Sequence, residues 1–486
     1  MKEKFCSPIF FLLLLITVFV SSSLFPFQRT RKKIFSPIKE IRFEESQTTY
    51  GWPLSTPEAQ GLDSNIFQNA SEHARKLGFV DSLLVIRNGF LISEQYFNGY
   101  SMDTPHPIAS ASKTFIGALT GIAANQNLLS LDQKLTDFFP DYVTPRMDPR
   151  KNDITIRHML QMLSGFWDVD PMRSSNRIKY AIEFIPLYSD PGTQFHYSTI
   201  GVHLLSGIIT KVSGTSTLEF AQRYLFDPLN ISVANWSQDP AGIYTGGFGM
   251  AFTPRNAARF GYLYAQNGIA EGMQILPEDY LQESWTASEP SKGMLANFDA
   301  IEESGYGFLW WIAKMGHYWT YLARGHGGQH ILVIPELNMV IVINAKLYYF
   351  ATLHHPANFR LSAYLILYPI RDWLGDPPHG PENAQGTKYL NRSLVQEEYI
   401  NEITWEPSSR NPGLDISEYR IYKIHSANSR TLLATMDANT FIYRHAGAEI
   451  QEKSEHIYGI TTVTSDQKES IPAFVIIYEP ENGEDR

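Results

Sequence analysis

Residues 108–115 of the chain read IASASKTF, which places Ser110 three residues before Lys113 at the start of an apolar segment. The continuation SASKTFIGALTGIAANQ (110–126) has the composition of a helix that is buried on most sides. Residues three apart share one face of a helix, so the ammonium group of Lys113 can reach the hydroxyl of Ser110. Because burial disfavours the charged form of a lysine, this arrangement is typical of a serine nucleophile beside its base.

The same spacing occurs at Ser36–Lys39 and at Ser465–Lys468, so spacing alone is weak evidence of a site. A serine at a helix start is also a favoured cap, in which case Lys113 simply reaches solvent. Ser36–Lys39 lies in a charged tether that Pro37 interrupts, and Ser465–Lys468 lies in a polar turn between predicted strands. Only Ser110–Lys113 opens an apolar helix.

The segment FHYSTIGVHLLSG (195–207) contains a second candidate group. It places Tyr197 directly before Ser198 and Thr199, at the start of another predicted helix. A phenol held near a lysine can share in proton transfer, although packing in a core is the commoner role of a tyrosine.

The segment ARGHGGQHILVIP (323–335) leads into a predicted strand through His326, Gly327 and Gly328. Adjacent glycines before a strand let a substrate approach the backbone closely, and the N–H of Gln329 can then complete an oxyanion hole. A tight turn explains the same glycines equally well.

In this order, the three segments resemble the S-x-x-K, Y-x-N and K-T-G motifs of the penicillin-recognising serine hydrolases with a class C β-lactamase-like fold. The resemblance covers about residues 50–375 and includes the phrases WPLSTPEAQGLDS, ITIRHMLQMLSG, GGFGMAFTPRNAARFGYLYAQNG and YGFLWW. It implies an α/β fold of the α+β type, in which helices and a helical subdomain flank an antiparallel sheet. It also implies that Ser110 is acylated, that Lys113 is its base or proton shuttle, that Tyr197 is a general base or acid, and that the N–H groups of Ser110 and Gln329 form the oxyanion hole.

Two departures from the family motifs affect the expected substrate. Thr199 stands where the family usually has Asn, and His326-Gly327-Gly328 stands in place of K-T-G. A fixed cation is thereby replaced by an imidazole, which is not a permanent cation near neutral pH. Both changes weaken carboxylate recognition, so the resemblance favours the esterase and amide-hydrolase branches, such as enzymes like 6-aminohexanoate-dimer hydrolase.

Residues that could contact a small-molecule or short-peptide acyl substrate lie in these motifs and in one aromatic run. The candidates are Thr199, His326, Gly327, Gly328, Tyr306 and Trp310, with Trp311 beside them. Core packing is the expected role of at least one of the three aromatic residues.

Two other functions remain open: a β-lactamase or D-Ala-D-Ala peptidase acting on cell-wall-like substrates, and a non-catalytic binding protein that retains the fold. The chain has no G-x-S-x-G elbow and no H-E-x-x-H motif. Neither a metal nor an organic cofactor is expected. The net charge of −10 argues against nucleic acid as a partner.

Residues 5–27 carry no charge and contain a strongly apolar stretch of signal-peptide length. Ser21–Ser23 could be a cleavage region, whereas the basic RTRKK that follows is better suited to a retained membrane anchor. Either way the rest of the chain is expected to be exported, that is, secreted, periplasmic or attached to the membrane. The only cysteine, Cys6, lies in this segment, so disulfides and a cysteine nucleophile are not expected.

Local patterns predict the main elements. These are a hairpin around Asn88-Gly89, helices at 64–77, 110–126, 154–165, 199–214 and 254–266, strands at 306–313, 330–335 and 339–345, and a closing helix at 351–374. The predicted domains are a signal peptide or anchor at 1–27, a tether at 28–49, the hydrolase domain at 50–375, a linker at 376–396 and a β-sandwich at 397–480.

The C-terminal segment resembles a fibronectin type III domain. Trp405 corresponds to the early core tryptophan of that family, YRIYKI to the next core strand, and Tyr458 in HIYGITTV to the tyrosine-corner position. The polar SDQKES corresponds to the turn before the last strand. The resemblance implies an accessory module for attachment or positioning, with an unidentified surface partner and no chemistry of its own.

Overall fold

The computed structural model describes residues 48–49, 51–168, 174–293, 301–315, 318–347, 378–392, 397–409, 411–426, 429–446, 456–470 and 472–477. Every element given below belongs to the unit Glu45–Arg486. The predicted signal or anchor segment, most of the tether and the closing helix at 351–374 lie outside the described residues.

A seven-stranded antiparallel sheet is the centre of the hydrolase domain. Its strands are β1 (Val80–Arg87), β2 (Phe90–Tyr96), β3 (Ile301–Tyr306), β4 (Trp311–Met315), β5 (Tyr318–Gly325), β6 (Gln329–Ile334) and β7 (Met339–Ala345), in the order β3-β4-β5-β6-β7-β1-β2. The predicted hairpin joins β1 to β2, with Asn88 at φ 50° and Gly89 at φ 82°, as a type I′ turn requires. The prediction of one sheet built from distant segments is therefore confirmed.

The sheet is buried on both faces because its strands alternate apolar side chains between two cores. In β6, Ile331 and Val333 face the core formed by the central helices, whereas Leu332 and Ile334 face the core formed with the N-terminal helix. Every residue of β7 is buried. A strand covered on both sides reads as a continuous apolar run, which is why MVIVINA was recognisable in the sequence.

The helices lie mostly between β2 and β3 in the chain. They are α1 (Ser64–Leu77), α2 (Ser112–Asn125), α3 (Leu135–Phe138), α4 (Ile156–Leu160), α5 (Arg177–Phe184), α6 (Thr199–Ser213), α7 (Thr217–Ala221), α8 (Pro254–Ala265) and α9 (Glu278–Ser284). Single 3₁₀ turns occur at Glu58–Gln60, Ala109–Ala111, Pro140–Tyr142, Pro149–Asp153, Glu289–Ser291 and Pro335–Leu337, and a π turn at Gln222–Phe226. Among the described residues, none of the helices combines the length and apolar character needed to cross a membrane.

Helix starts follow the capping signals of the sequence. The Asp63 carboxylate accepts the N–H of Asn65 at the start of α1, at 2.8 Å. The Ser198 hydroxyl accepts the N–H of Gly201 at the start of α6, at 3.2 Å. Both satisfy backbone donors that a helix leaves without partners.

Short strands bring distant loops to the central helices. His106–Pro107 and Asn235–Trp236 both pair with Met250–Phe252. Two further pairs join Thr48–Thr49 with Trp52–Pro53 and Ile269–Ala270 with Met273–Gln274. The first arrangement places the segment before Ser110 beside the segment that follows Gly247.

The predicted strand at 306–313 is wrong in its extent. It consists of the end of β3 and the start of β4, separated by residues 307–310, and Leu309 has φ 61° there. The run YGFLWWIA does not reveal this turn, because most of its residues are aromatic or β-branched and suit a strand, and a single glycine is a weak turn signal.

The C-terminal strands form two sheets around one core. The strands are β8 (Glu382–Arg392), β9 (Glu397–Glu406), β10 (Ile416–Ser426), β11 (Ser429–Asp437), β12 (Ile442–Ala446), β13 (His456–Thr464) and β14 (Ala473–Ile477), in the orders β8-β9-β12 and β11-β10-β13-β14. Trp405 of the first sheet and Tyr458 of the second belong to the same buried cluster. The predicted β-sandwich is therefore confirmed, while its resemblance to fibronectin type III stays a prediction.

The predicted linker at 376–396 needs a correction, because Glu382–Arg392 is strand β8. It pairs with β9 from Glu382 to Arg392. An edge strand exposes many of its side chains, so its sequence can be polar and still be held by backbone hydrogen bonds. Composition alone therefore did not distinguish it from a connecting segment.

Candidate active site

Ser110 lies in a tight turn immediately before helix α2. The turn is the 3₁₀ segment Ala109–Ala111, so the serine precedes the α-helix rather than forming its first residue. Ala109 has φ 48°, a conformation that residues other than glycine rarely adopt outside functional sites. The Ser112 hydroxyl donates to the carbonyl of Ala109 at 2.7 Å and thereby holds this turn.

Lys113 connects Ser110 to a distant loop. Its Nζ donates to Oγ of Ser110 at 3.1 Å and to the carbonyl oxygen of Gly247 at 2.7 Å. Only 1% of Lys113 is exposed. The structure thus brings together the predicted serine and lysine, and the alternative in which Lys113 reaches solvent does not apply.

Tyr197 lies on the other side of Lys113. Nζ of Lys113 is 4.8 Å from the centroid of the Tyr197 ring, within the range of a cation–π contact. The ring stacks on Trp311 at 6.0 Å and meets Tyr306 edge-on at 6.4 Å. Ser198, the next residue, is fully buried and caps α6. The start of this helix therefore fixes the backbone position of Tyr197.

Thr199 borders the same cluster through its methyl group and its backbone. Its N–H donates to Oδ1 of Asp168 at 2.8 Å. A Cβ added to Gly247 would lie 2.4 Å from Cγ2 of Thr199 and 3.4 Å from Nζ of Lys113. Asp168 was not predicted from the sequence, since an isolated acidic residue in a loop carries no distinguishing pattern.

Gly246 and Gly247 are further positions beside this cluster that were not predicted from the sequence. A Cβ at Gly246 would lie 2.2 Å from the carbonyl oxygen of Val202, so the loop rests directly on the backbone of α6. The following carbonyl, that of Gly247, is then the acceptor for Lys113. The available signal was the glycine-rich start of the phrase GGFGMAFTP, because paired glycines often mark a close backbone approach.

The segment 326–328 forms the turn between β5 and β6. Gly327 has φ 82° and Gly328 has φ 96°, while His326 is exposed at the turn. Gly325 pairs with Gln329 across the turn, and a Cβ at Gly325 would lie 2.2 Å from the carbonyl oxygen of Ile108. The turn therefore lies against the segment that carries Ser110.

Gln329 can contribute only its backbone to this site. Its side chain is fully buried and points to the neighbouring strand, where Oε1 accepts the N–H of Ala345 and Nδ2 of Asn344 at 3.2 Å each. Its Nε2 donates to the carbonyl of Ala345. This arrangement is compatible with the predicted use of the Gln329 N–H.

The two aromatic candidates have different positions. Tyr306 is 1% exposed and packs behind Tyr197, and burial raises the pKa of its phenol well above the ordinary value, with a further contribution from Tyr197. Trp310 is fully buried and stacks against Phe260 at 6.1 Å. Both rings are therefore buried, and the structure supports the predicted substrate contact of neither Tyr306 nor Trp310. Its neighbour Trp311, half-buried against Tyr197, has the position expected of a pocket residue.

No group of three or more histidine, cysteine or acidic side chains within the described ranges is arranged to hold a metal ion. The chemistry that the cluster itself provides is a hydroxyl, a buried amine, a phenol and backbone N–H groups. This combination suits acyl transfer to a serine.

The chain belongs to the Beta-lactamase family, whose model matches residues 65–363. The 6-aminohexanoate-dimer hydrolase of Paenarthrobacter ureafaciens is 24% identical over 297 residues, which cover 54% of this chain and 71% of that protein. Lovastatin esterase of Penicillium rubens is 32% identical over 155 residues, covering 26% of this chain and 38% of that enzyme.

Solved structures show the same fold. A candidate 6-aminohexanoate-dimer hydrolase from Bacillus anthracis superposes with a TM-score of 0.52 at 22% identity, over 62% of this chain and 81% of its own. SurE superposes with a TM-score of 0.52 at 16% identity, over 85% of this chain and 99% of its own. The chain is thus a hydrolase of the β-lactamase fold with an additional C-terminal strand-rich region.

Proposed function

We propose that the chain hydrolyses an ester or amide through an acyl-enzyme intermediate on Ser110. One observation carries the proposal: the amine of Lys113 is almost fully buried and lies 3.1 Å from Oγ of Ser110. A buried amine at hydrogen-bond distance can act as the base that a serine nucleophile needs.

In the acylation step, Oγ of Ser110 attacks the substrate carbonyl while Nζ of Lys113 accepts the hydroxyl proton. The carbonyl π electrons move to oxygen, and the N–H groups of Ser110 and Gln329 stabilise the resulting oxyanion. When the tetrahedral intermediate collapses, the bond to the leaving group breaks and that group receives the proton. Tyr197, in contact with Lys113, shares in this transfer.

In the deacylation step, water attacks the ester carbonyl of acylated Ser110. Lys113 and Tyr197 take the water proton and return one to Oγ of Ser110, which releases the acid and restores the free serine. Nothing in this cycle needs a redox partner or a co-reactant other than water.

The composition of the β5–β6 turn supports esters and amides over β-lactams. His326 is exposed and is followed by two glycines, so this position has neither a permanent cation nor a hydroxyl for a substrate carboxylate. Two relatives, one named as a dimer hydrolase and one as an esterase, are consistent with this preference.

A β-lactamase or D-Ala-D-Ala peptidase is the second candidate, and one observation favours it. The guanidinium of Arg324 lies 5.2 Å from the ring centroid of Trp311, which in turn stacks on Tyr197. A cation on strand β5 is therefore close to the aromatic side of the cluster and could attract a substrate carboxylate.

A covalent probe and two chromogenic substrates test the proposal. We expect a fluorophosphonate to label Ser110 in the folded chain, and the Ser110→Ala variant to remain unlabelled and inactive. We expect turnover of a short-chain nitrophenyl ester and little turnover of nitrocefin. Fast nitrocefin hydrolysis without esterase activity would favour the second candidate, and a folded wild type that does not label would favour the binding protein.

The apolar segment at residues 5–27 supports export of the chain, either cleaved or held at the membrane. Fractionation of cells that express the full chain, with sequencing of its N-terminus, separates the two. Recovery of the uncleaved chain in the cytoplasmic fraction would contradict export.

A further inference from the structure

Helix α6 has a buried polar contact with the loop that holds Lys113. Nε2 of His203 lies 3.0 Å from Oδ2 of Asp239, and 5% of the histidine side chain and none of the aspartate side chain are exposed. We propose that His203 and Asp239 are positioning residues, which place the Gly247 carbonyl so that it accepts a hydrogen bond from Lys113. This inference rests on the proposed function, since it assigns the pair a role in the same acylation step.

Asp239 organises the first half of the loop between Asn235–Trp236 and Met250–Phe252. Its Oδ1 accepts the N–H groups of Ala241 at 2.9 Å and Ile243 at 3.0 Å. Burial would raise the pKa of Asp239, but the hydrogen bonds from His203 and from these N–H groups hold the pKa below its ordinary value. Asp239 is therefore a carboxylate that accepts hydrogen bonds from His203 on the helix and from N–H groups of the loop, so it joins the loop to the helix.

The second half of the loop is held against the next turn of the same helix. The Ser206 hydroxyl donates to the carbonyl of Tyr244 at 2.6 Å. Gly246 then approaches the backbone of α6, where an added Cβ would be 2.2 Å from the carbonyl oxygen of Val202 and 3.0 Å from Cα of His203. The next residue, Gly247, accepts the hydrogen bond from Lys113 at 2.7 Å.

Stability alone does not account for a His–Asp pair at this place. Val202, Leu204 and Leu205 beside His203 are buried and apolar. Nδ1 of His203 is also buried, and it has no hydrogen-bond partner among the described residues. Replacing a buried polar pair with apolar side chains is often neutral or stabilising, so a pair that leaves a nitrogen unsatisfied needs another explanation. Fixing the geometry around Lys113 provides one.

The proposed mechanism predicts which kinetic step a change at His203 or Asp239 affects. Lys113 can accept the proton of Ser110 only when the lone pair of Nζ faces Oγ. The hydrogen bond from Nζ to the carbonyl of Gly247 restricts the orientation of the amine. A displacement of about 1 Å at a site of this kind can cost about 100-fold in rate. The loss should appear in the chemical step, because the side-chain hydrogen bonds described for His203 and Asp239 join them to each other and to the loop and do not involve Ser110 or the β5–β6 turn.

The test compares fluorophosphonate labelling of the full chain in four forms: wild type, His203→Met, His203→Gln and Lys151→Met. Methionine keeps the volume but removes the donor, whereas the glutamine amide keeps a donor for Asp239. Lys151 is a control in the same domain, because it is 1% exposed and donates to the carbonyls of Ala181 and Ile182 instead. We expect the maximal labelling rate, kinact, to fall by about 10- to 100-fold in His203→Met at unchanged KI. The rate should be largely restored in His203→Gln and unchanged in Lys151→Met.

Two outcomes separate the inference from the proposed function. If the wild type does not label, the proposed function fails. If the wild type labels and folded His203→Met labels at the same rate, the positioning role is overturned and the proposed function stands. Should His203→Met not fold, Asp239→Asn keeps the size of the side chain but removes the charge that accepts from His203 and from the loop. An unchanged kinact in folded Asp239→Asn would overturn the positioning role.

Discussion

Nζ of Lys113 lies 2.7 Å from the carbonyl oxygen of Gly247, so a lysine on α2 and a loop more than a hundred residues later form one site. This contact, together with that to Ser110, makes Lys113 difficult to replace. We expect Lys113→Met, which keeps much of the volume, to lower kcat/KM for a nitrophenyl ester by about 100- to 10,000-fold while the chain stays folded. Lys113→Arg should fail as well, because a guanidinium does not give up its proton at any working pH. Activity of either variant near the wild-type level would show that another group takes the Ser110 proton.

The approach of Gly247 to Thr199 and Lys113 predicts that a single methyl group there disrupts the site. A Cβ would lie 2.4 Å from Cγ2 of Thr199, well inside contact distance. We expect Gly247→Ala to lower kcat/KM at least about tenfold, since the carbonyl that holds Lys113 must move. Steady-state kinetics on purified, folded protein measures this.

Gly272→Ala is the matched control for Gly247→Ala. Gly272 has φ 75° and no atom within 4 Å of an added Cβ, so its substitution introduces backbone strain without a new contact. A small loss of stability with full activity is expected. If the two variants lose activity alike, the replacement of a glycine in itself, rather than the contact with Thr199, explains the effect.

The candidate site positions that could be predicted are those whose signal is local. Ser110 and Lys113 share a helix face by spacing, and Tyr197 stands just before a capped helix start, so short segments identify them. Gly247 could not be assigned a role, because its carbonyl reaches Lys113 only after the short strands at His106–Pro107 and Met250–Phe252 pair. Contacts between distant segments depend on packing that one sequence does not display.

Prediction of the strands from the sequence is limited in the same way. Buried β7 was predictable because every residue is apolar, whereas edge strand β8 was assigned to a linker because much of it is polar. Trp310 and Trp311 are adjacent, identical residues, so the sequence does not show which ring is buried. The turn at 307–310 decides which of them faces the core.

The contrast between these two tryptophans gives a third prediction. Trp311→Ala should raise KM for ester substrates with little loss of stability, because its half-buried ring supports Tyr197. Trp310→Ala should instead lower the free energy of unfolding by about 3–5 kcal/mol, as expected for a large side chain removed from a core. Urea unfolding and ester kinetics on both variants measure the two effects. A KM change confined to Trp310→Ala would reverse the assignment.

Lys151 gives a prediction about pH that is independent of catalysis. Burial lowers the pKa of Lys151 from its ordinary 10.5 to about 8, and its Nζ donates to the carbonyls of Ala181 and Ile182 at the end of α5. Between these two pH values the unfolded chain binds a proton at this residue and the folded chain does not. The free energy of unfolding therefore gains a contribution as the pH rises from about 8 to 10.5, and loses it as the pH falls through 8.

Lys151→Met lacks this titration and serves as the reference, because the carboxyl that Lys151 influences, Asp148, titrates far below this pH interval. We expect the difference in unfolding free energy, wild type minus Lys151→Met, to increase across that interval in urea titrations at several pH values. A difference that stays constant would mean that Lys151 keeps its proton when buried, with the two carbonyl acceptors stabilising the ammonium form strongly enough to cancel the effect of burial.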